Sequence, residues 1–112
     1  MNLVHLRKGD YMAKVFTFLT EGFELVEALA VVDVLRRAGV DVVTVSIMDK
    51  KTVMSAQGVE VTADTMFADN DYDKADVLFL PGGPGTKGLE AHAGLVEVLK
   101  KHYSAGKLLA AI

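Results

Sequence analysis

Hydrophobic and polar positions along the first half of the chain follow two different periods. Residues 14–20, KVFTFLT, are β-branched and aromatic, which predicts a strand, and the turn-like EGFE follows. Residues 24–40 have apolar side chains at helical spacings of three and four, with arginines near the end and Gly39 as the stop. The apolar positions of this predicted helix are Leu25, Ala28, Leu29, Val32 and Leu35. With residues 41–47, DVVTVSI, as a second strand, the pattern predicts a right-handed β-α-β unit on a parallel sheet.

The second half continues the alternation of strands and helices. Residues 49–71 hold two short strand patterns around Gln57 and Gly58, which predict a small hairpin or edge excursion. Residues 75–83, ADVLFLPGG, predict a third core strand. A helical pattern then follows at Leu95, Val96, Val98, Leu99 and Tyr103. We therefore predict an α/β fold with a doubly wound, mostly parallel sheet sandwiched by helices, of the flavodoxin-like type.

The last residues, GKLLAAI at 106–112, form an apolar run that no turn or cap follows. We therefore expect a fold that is incomplete at its C-terminus, with residues 12–112 as the N-terminal part of a single domain. Residues 1–11 fit neither period and are interpreted as an N-terminal extension or an alternative start.

Composition restricts the partners of this 112-residue chain. Hydrophobic residues make up 51% and charged residues 24%, as in globular proteins. The formal charge of -3 comes from scattered side chains, so no footprint for nucleic acid or an anionic membrane is expected. The apolar runs are too short for a bilayer span and the N-terminus lacks a signal-peptide core, so we expect a cytoplasmic location.

Chemistry in an open parallel sheet lies beyond the carboxyl ends of the strands. Here those positions are residues 20–27, residues 81–88 and whatever follows Ile112. The chain contains no Cys, which excludes disulfides, thiolate metal sites and a Cys nucleophile within these residues.

The glycine-rich loop LPGGPGTKG allows three interpretations. Gly83, Gly85 and Gly88 match a dinucleotide fingerprint, but the next predicted strand lacks the acid that would hold the ribose. Lys87 lacks the neighbours of a phosphate-binding loop. The second interpretation is that Gly82 and Gly83 aim backbone N–H groups at a developing oxyanion, and the third is a tight turn that needs positive φ.

Glu24 and Glu27 are the candidate acids, three positions apart at the start of the first predicted helix. Apolar neighbours favour a protonated Glu27, which could donate a hydrogen bond to a thiolate, whereas the helix N-terminus favours the carboxylate. The alternative is a solvated acid that only stabilises the helix.

For the remaining candidate residues the sequence predicts structural roles. Asp33 precedes Arg37 by four positions, which predicts a helical ion pair. The histidines show no metal-ligand spacing, and the last two are expected on exposed helix ends: His5, His92 and His102. The methionines are expected to fill the core: Met48, Met54 and Met66.

Four segments together resemble the front half of the ThiJ/PfpI family, which shares its fold with class I glutamine amidotransferases. They are GFELVEALAVVDVLRRAG, SAQGVEVTAD, VLFLPGGPGTKGL and GKLLAAI, and the likeness runs from Met12 to Ile112. In that family the strand similar to KLLAAI ends in a Cys on a sharp turn. The resemblance implies that Glu27 hydrogen-bonds this Cys and that Gly82 and Gly83 help form the oxyanion hole.

The function implied by the resemblance is a Cys-dependent hydrolase or lyase acting on small reactive carbonyls, acyl compounds or protein adducts. The resemblance implies no metal or organic cofactor. It also implies a homodimer. The missing half would follow Ile112 or come from a second polypeptide, and the 112-residue chain alone would be inactive. The alternatives are a chaperone, redox-sensing or dimerisation module, a thiazole-biosynthesis protein or a peptidase of the same family, and a flavodoxin-like nucleotide binder.

Overall fold

The structure is a computed structural model that describes residues 13–112, so the predicted extension at residues 1–11 lies outside it. The strands are β1 (Lys14–Leu19), β2 (Asp41–Ser46), β3 (Thr52–Met54), β4 (Glu60–Thr62), β5 (Thr65–Met66), β6 (Val77–Leu80) and β7 (Leu108–Ala111). The helices are α1 (Leu25–Arg37), α2 (Thr86–Ala91) and α3 (Ala93–Ser104). No helix in this described part is long and apolar enough to cross a membrane.

A five-stranded parallel sheet organises the described chain, in the spatial order β5-β2-β1-β6-β7. The predicted β-α-β unit is present, because β1 pairs with β2 in parallel along its whole length, from Lys14 opposite Asp41 to Leu19 opposite Ser46. After β5 the chain crosses to the other side of β1 and places β6 there. The predicted α/β fold with a mostly parallel sheet is therefore confirmed.

Alternation along β1 divides the core between the two faces of the sheet. Phe16 and Phe18 join a buried cluster with Leu89 of α2 and Leu95 of α3. Val15 points the other way and packs in a second cluster that contains Val32 of α1. Helices therefore cover both faces, as expected for a doubly wound sheet.

Helix α1 ends at Arg37, and the predicted stop residue Gly39 follows two positions later with φ +84°. The Val40 amide donates to the Leu35 carbonyl at 3.0 Å and the Gly39 amide to the Arg36 carbonyl at 3.0 Å, which is a Schellman motif. The predicted ion pair lies in the last two turns, with Arg37 Nε 2.8 Å from Asp33 Oδ1.

The predicted hairpin is also present, and it packs beside the sheet. Strands β3 and β4 pair antiparallel, with Thr52 opposite Thr62. Val53 is fully buried in a third cluster with Phe23 and Ala28, so the hairpin covers the start of α1. The short β5, which extends the main sheet next to β2, was not predicted, because two residues carry no period.

Several predictions differ from the structure. The helical pattern at residues 95–103 is present as α3, whereas α2, which is separated from α3 by a break at His92, was not predicted. Tyr103 is 73% exposed and not on the buried face of α3. Met48 is exposed and Met54 and Met66 are half-buried, so the expectation that methionines fill the core is wrong for Met48.

The prediction that His92 and His102 lie on exposed helix ends is also wrong. His102 is 5% exposed, and its Nε2 lies 2.8 Å from the Leu108 carbonyl oxygen. Half-buried His92 caps α3, since its Nδ1 accepts a hydrogen bond from the Leu95 amide at 2.9 Å. His5 lies outside the described residues.

A polar network ties the end of α1 to the sheet. Asp64 Oδ2 accepts hydrogen bonds from Arg36 at 2.7 Å and from the Thr44 amide at 2.9 Å. Partial burial alone would raise the pKa of the Asp64 carboxyl, but these hydrogen bonds and the Arg36 charge outweigh it and hold the pKa below its usual value.

We expect Asp64→Asn to lower the free energy of unfolding at pH 7 by less than about 1 kcal/mol, because the Asp64 side chain is 44% exposed. Because the folded-state pKa is depressed, this stabilisation is present above the unfolded-state pKa of about 3.9 and disappears as the pH falls through the folded-state value. Urea unfolding of the parent and the variant, measured from pH 7 to about pH 2, would show the two curves converging in acid. Asp49→Asn, at an exposed position, is the control, and a pH-independent difference would contradict the prediction.

Thr17 in the middle of β1 is fully buried, and its hydroxyl has no hydrogen-bond partner among residues 13–112. Replacing this hydroxyl by a methyl group in Thr17→Val should raise the free energy of unfolding by about 1 kcal/mol. The matched control is Thr44→Val on the neighbouring strand, since the Thr44 hydroxyl accepts a hydrogen bond from the Asp64 amide at 2.9 Å. That control should be destabilised, and chemical denaturation of both variants would reveal the opposite signs.

Candidate active site

The topology creates a crevice at the carboxyl ends of β1 and β6. The chain runs from β1 through α1 to β2 on one side, and later places β6 on the other side of β1, so the loops after β1 and β6 diverge. These loops are joined by two backbone hydrogen bonds. The Glu24 amide donates to the Gly82 carbonyl at 2.9 Å, and the Gly85 amide donates to the Gly22 carbonyl at 3.0 Å.

Gly82 and Gly83 have different reasons to be glycine. Gly83 has φ +106°, and a Cβ there would lie 2.8 Å from the Glu24 nitrogen. The tight-turn interpretation therefore holds for Gly83. At Gly82 the constraint is close approach, because a Cβ would lie 2.6 Å from Glu27 Oε1 and 2.7 Å from the Ile112 carbonyl oxygen.

Glu27 therefore lies at the crevice and points toward the diglycine. It occupies the first turn of α1, and its side chain is half-buried. Its Oε1 and the Ile112 carbonyl oxygen approach the same side of Gly82, so the acid, the glycine backbone and the end of β7 meet at one point. Of the two candidate acids, Glu24 lies outside the helix proper, as its N-cap residue.

The backbone N–H groups of Gly82 and Gly83 belong to the turn that Glu27 and Ile112 approach. Neither group donates a hydrogen bond to an acceptor within residues 13–112. Backbone N–H groups without an internal acceptor are suited to bind an oxyanion. The oxyanion interpretation is therefore compatible with the turn that Gly83 requires.

The glycines of the dinucleotide pattern have packing roles. A Cβ at Gly85 would collide with the Glu21 carbonyl oxygen, and a Cβ at Gly88 would lie 2.8 Å from Thr20 Oγ1. Both glycines therefore let α2 and its preceding loop approach the loop after β1. Lys87 is exposed. Within residues 13–112 no cluster of three His, Asp or Glu side chains is arranged to hold a metal ion.

Gln57 is a residue near the site whose contacts the sequence does not predict, since the sequence indicates only a turn there. Gln57, in the hairpin turn, accepts a hydrogen bond from the Leu25 amide at 3.0 Å and donates one to Glu24 Oε2 at 2.7 Å. Because 32 or more residues separate these partners, no local pattern could have revealed the contacts.

The fold and the crevice define an α/β protein with its candidate site at a topological switch point. The sequence profile of the DJ-1/PfpI family matches residues 13–112, and the chain belongs to this family. This finding confirms the resemblance seen in the sequence, since ThiJ/PfpI and DJ-1/PfpI describe the same group.

Curated relatives agree with this assignment. Protein DJ-1 homolog B of Arabidopsis thaliana is 37% identical over 100 residues, which are 88% of this chain and 23% of that protein. A glutathione-independent glyoxalase of Caenorhabditis elegans is 30% identical over 82% of this chain and 49% of that protein. A deglycase of Pyrococcus abyssi is 29% identical over 88% of this chain and 59% of that protein.

The solved structures give the same picture. Oxidized DJ-1 of Toxoplasma gondii superposes with a TM-score of 0.85 at 35% identity, covering 88% of this chain and 54% of that one. The chain thus spans about half the length of that protein, and between 23% and 59% of the relatives above.

Gly82→Ala should disrupt the meeting point directly, because the added methyl group would overlap Glu27 Oε1 and the Ile112 carbonyl oxygen. We expect altered NMR resonances for Glu27 and Ile112. The control is Gly106→Ala, which has open space around the new methyl group but φ +76°, so it should cost about 1 kcal/mol of stability and leave both resonances in place. Unchanged Glu27 and Ile112 signals in Gly82→Ala would contradict the close approach.

Proposed function

We propose that this chain supplies the acid and the oxyanion-binding backbone of a Cys-dependent active site that acts on small reactive carbonyls or their protein adducts. The observation that carries the proposal is the convergence of Glu27 Oε1 and the Ile112 carbonyl oxygen on Gly82. The names of two relatives, a glyoxalase and a deglycase, support this substrate class. The Cys itself is expected immediately after Ile112.

The geometry suggests how the parts would cooperate. A Cys thiolate next to Ile112 would attack the carbonyl carbon of the substrate, forming a C–S bond while the carbonyl π electrons move to oxygen. The N–H groups of Gly82 and Gly83 would donate hydrogen bonds to this oxyanion. The Glu27 carboxyl group would share its proton with the sulfur and so adjust its nucleophilicity.

The same argument explains why the acid comes from the first turn of α1. Glu27 follows the loop that is bonded to Gly82 through the Glu24 amide, so its carboxyl group is held beside the diglycine by nearby backbone contacts. Preorganised groups of this kind lower the cost of assembling a transition state. The homodimer, the second polypeptide and the cytoplasmic location remain predictions.

The proposal is tested with the polypeptide that carries this chain as it occurs in its source organism. Intact mass and peptide mapping would reveal a Cys after Ile112, in the same or a second polypeptide. In that protein, Glu27→Gln should lower kcat/KM for methylglyoxal by about 100-fold, because removal of one positioned proton-transfer group typically costs 10²–10⁴-fold.

Glu90→Gln is the matched control, since Glu90 is an exposed acid on α2, and it should retain full turnover. A protein in which no Cys follows Ile112 would refute the proposal. So would methylglyoxal turnover that Glu27→Gln leaves at the level of the parent.

A further inference from the structure

The Gln57 side chain connects the tip of the β3–β4 hairpin to the beginning of α1. Its Oε1 accepts a hydrogen bond from the Leu25 amide at 3.0 Å, and its Nε2 donates one to Glu24 Oε2 at 2.7 Å. Both polar atoms of one amide group are therefore used, in opposite senses, on two consecutive residues. An exposed side chain that touches its neighbours by chance would not be expected to pair its donor with an acceptor and its acceptor with a donor at the same time.

Helix α1 lacks a cap of its own. Its N-cap residue is Glu24, whose side chain makes no capping hydrogen bond. The first amides of a helix have no acceptor inside the helix, and a Ser, Thr, Asp or Asn at the N-cap usually supplies one. Here the acceptor for the first helical amide, that of Leu25, comes from a residue 32 positions later in the chain.

The β3–β4 hairpin next to Gln57 is held to the loop after β1 by backbone contacts. The Gly22 amide donates to the Met54 carbonyl and the Ala56 amide donates to the Phe23 carbonyl, each at 2.8 Å. Phe23 and Ser55 form a parallel bridge and are 1% and 4% exposed. The backbone just before Gln57 and just before Glu24 is therefore held by hydrogen bonds that do not involve the Gln57 side chain.

Glu24 links Gln57 to the candidate site. Its carboxylate accepts the Gln57 hydrogen bond, while its own amide donates to the Gly82 carbonyl at 2.9 Å. Glu27 lies one helical turn further on, with its Oε1 against Gly82. A shift at the start of α1 would therefore move the Glu27 carboxyl group relative to the diglycine.

We propose that Gln57 is a positioning residue for Glu27: it holds the first turn of α1, through Leu25 and Glu24, in the place where the Glu27 carboxyl group meets Gly82. The effect on catalysis rests on the function proposed above. The effect on the position of Glu27 does not.

The experiment compares Gln57→Glu with the exchanged pair Glu24→Gln/Gln57→Glu. The single variant sets two carboxylates against each other, and this repulsion should displace the side chain at position 57 from Glu24 and with it the acceptor of the Leu25 amide. The exchanged pair restores one donor and one acceptor, with the amide now at position 24. Glu60→Gln, an exposed acid on β4, is the matched control in the same hairpin.

The first measurement is NMR on the polypeptide that carries this chain, and it needs no activity. Gln57→Glu should move the side-chain carboxyl ¹³C resonance of Glu27 and speed hydrogen exchange of the Leu25 amide by about 10-fold, which corresponds to loss of one hydrogen bond. The exchanged pair should return both signals toward those of the parent. If Glu27 and Leu25 do not respond to Gln57→Glu, the proposal is wrong.

The second measurement uses the polypeptide that carries the Cys, with methylglyoxal as substrate. Gln57→Glu should lower kcat by about 5-fold to 10-fold with KM within about 2-fold, since small displacements of a reacting group cost rate more than binding. The exchanged pair should recover at least half of the loss. A parent protein without turnover, together with the expected NMR response, would refute the proposed function and leave the structural inference standing. A kcat insensitive to Gln57→Glu but abolished by Glu27→Gln would refute the positioning role.

Discussion

The absence of a side chain at position 82 is the constraint on which the candidate site depends. Three segments approach the backbone there: the loop after β1, through the Glu24 amide, the first turn of α1, through the Glu27 carboxyl group, and the end of β7, through the Ile112 carbonyl. Any other residue would place a Cβ within 2.7 Å of two oxygen atoms. A parallel sheet brings the ends of its strands to one edge, but only a glycine lets them come this close.

The parts of the fold that follow from the sequence are those with a strong local period. Strands β1, β2 and β6 are rich in apolar and β-branched residues, and α1 combines a helical apolar stripe with a Gly stop, so each was predicted within a few residues of its observed bounds. The position of the candidate site beyond the carboxyl ends of the strands followed from the general rule for open parallel sheets, whereas the strand order that makes it a switch point came from the structure. The two-residue β5, the break at His92 and the burial of His102 depend on partners elsewhere in the fold, so no window of sequence could show them.

The site divides in the same way. Glu27, in the first turn of α1, and the diglycine, in the loop after β6, were predicted because both lie just beyond the carboxyl ends of strands, where the topology brings chemistry together. Gln57 was missed because its contacts join two elements that are distant in sequence, and a Gln before a Gly is typical of an ordinary turn. Membership of the DJ-1/PfpI family is a property of the whole match and assigns no role to single residues, and the chain spans between 23% and 59% of the curated relatives described above.

The buried imidazole of His102 has a consequence for the order in which the last strand can assemble. Its Nε2 must carry a hydrogen, because its partner, the Leu108 carbonyl, can only accept. The two residues are six positions apart, so this contact closes a very short loop, whereas the pairing of β7 with β6 joins residues about thirty positions apart. The first residue of β7 can thus be anchored to α3 before the strand has found its place in the sheet. Because closing a short loop costs less chain entropy than closing a long one, the His102 contact fixes the start of β7 at little entropic cost.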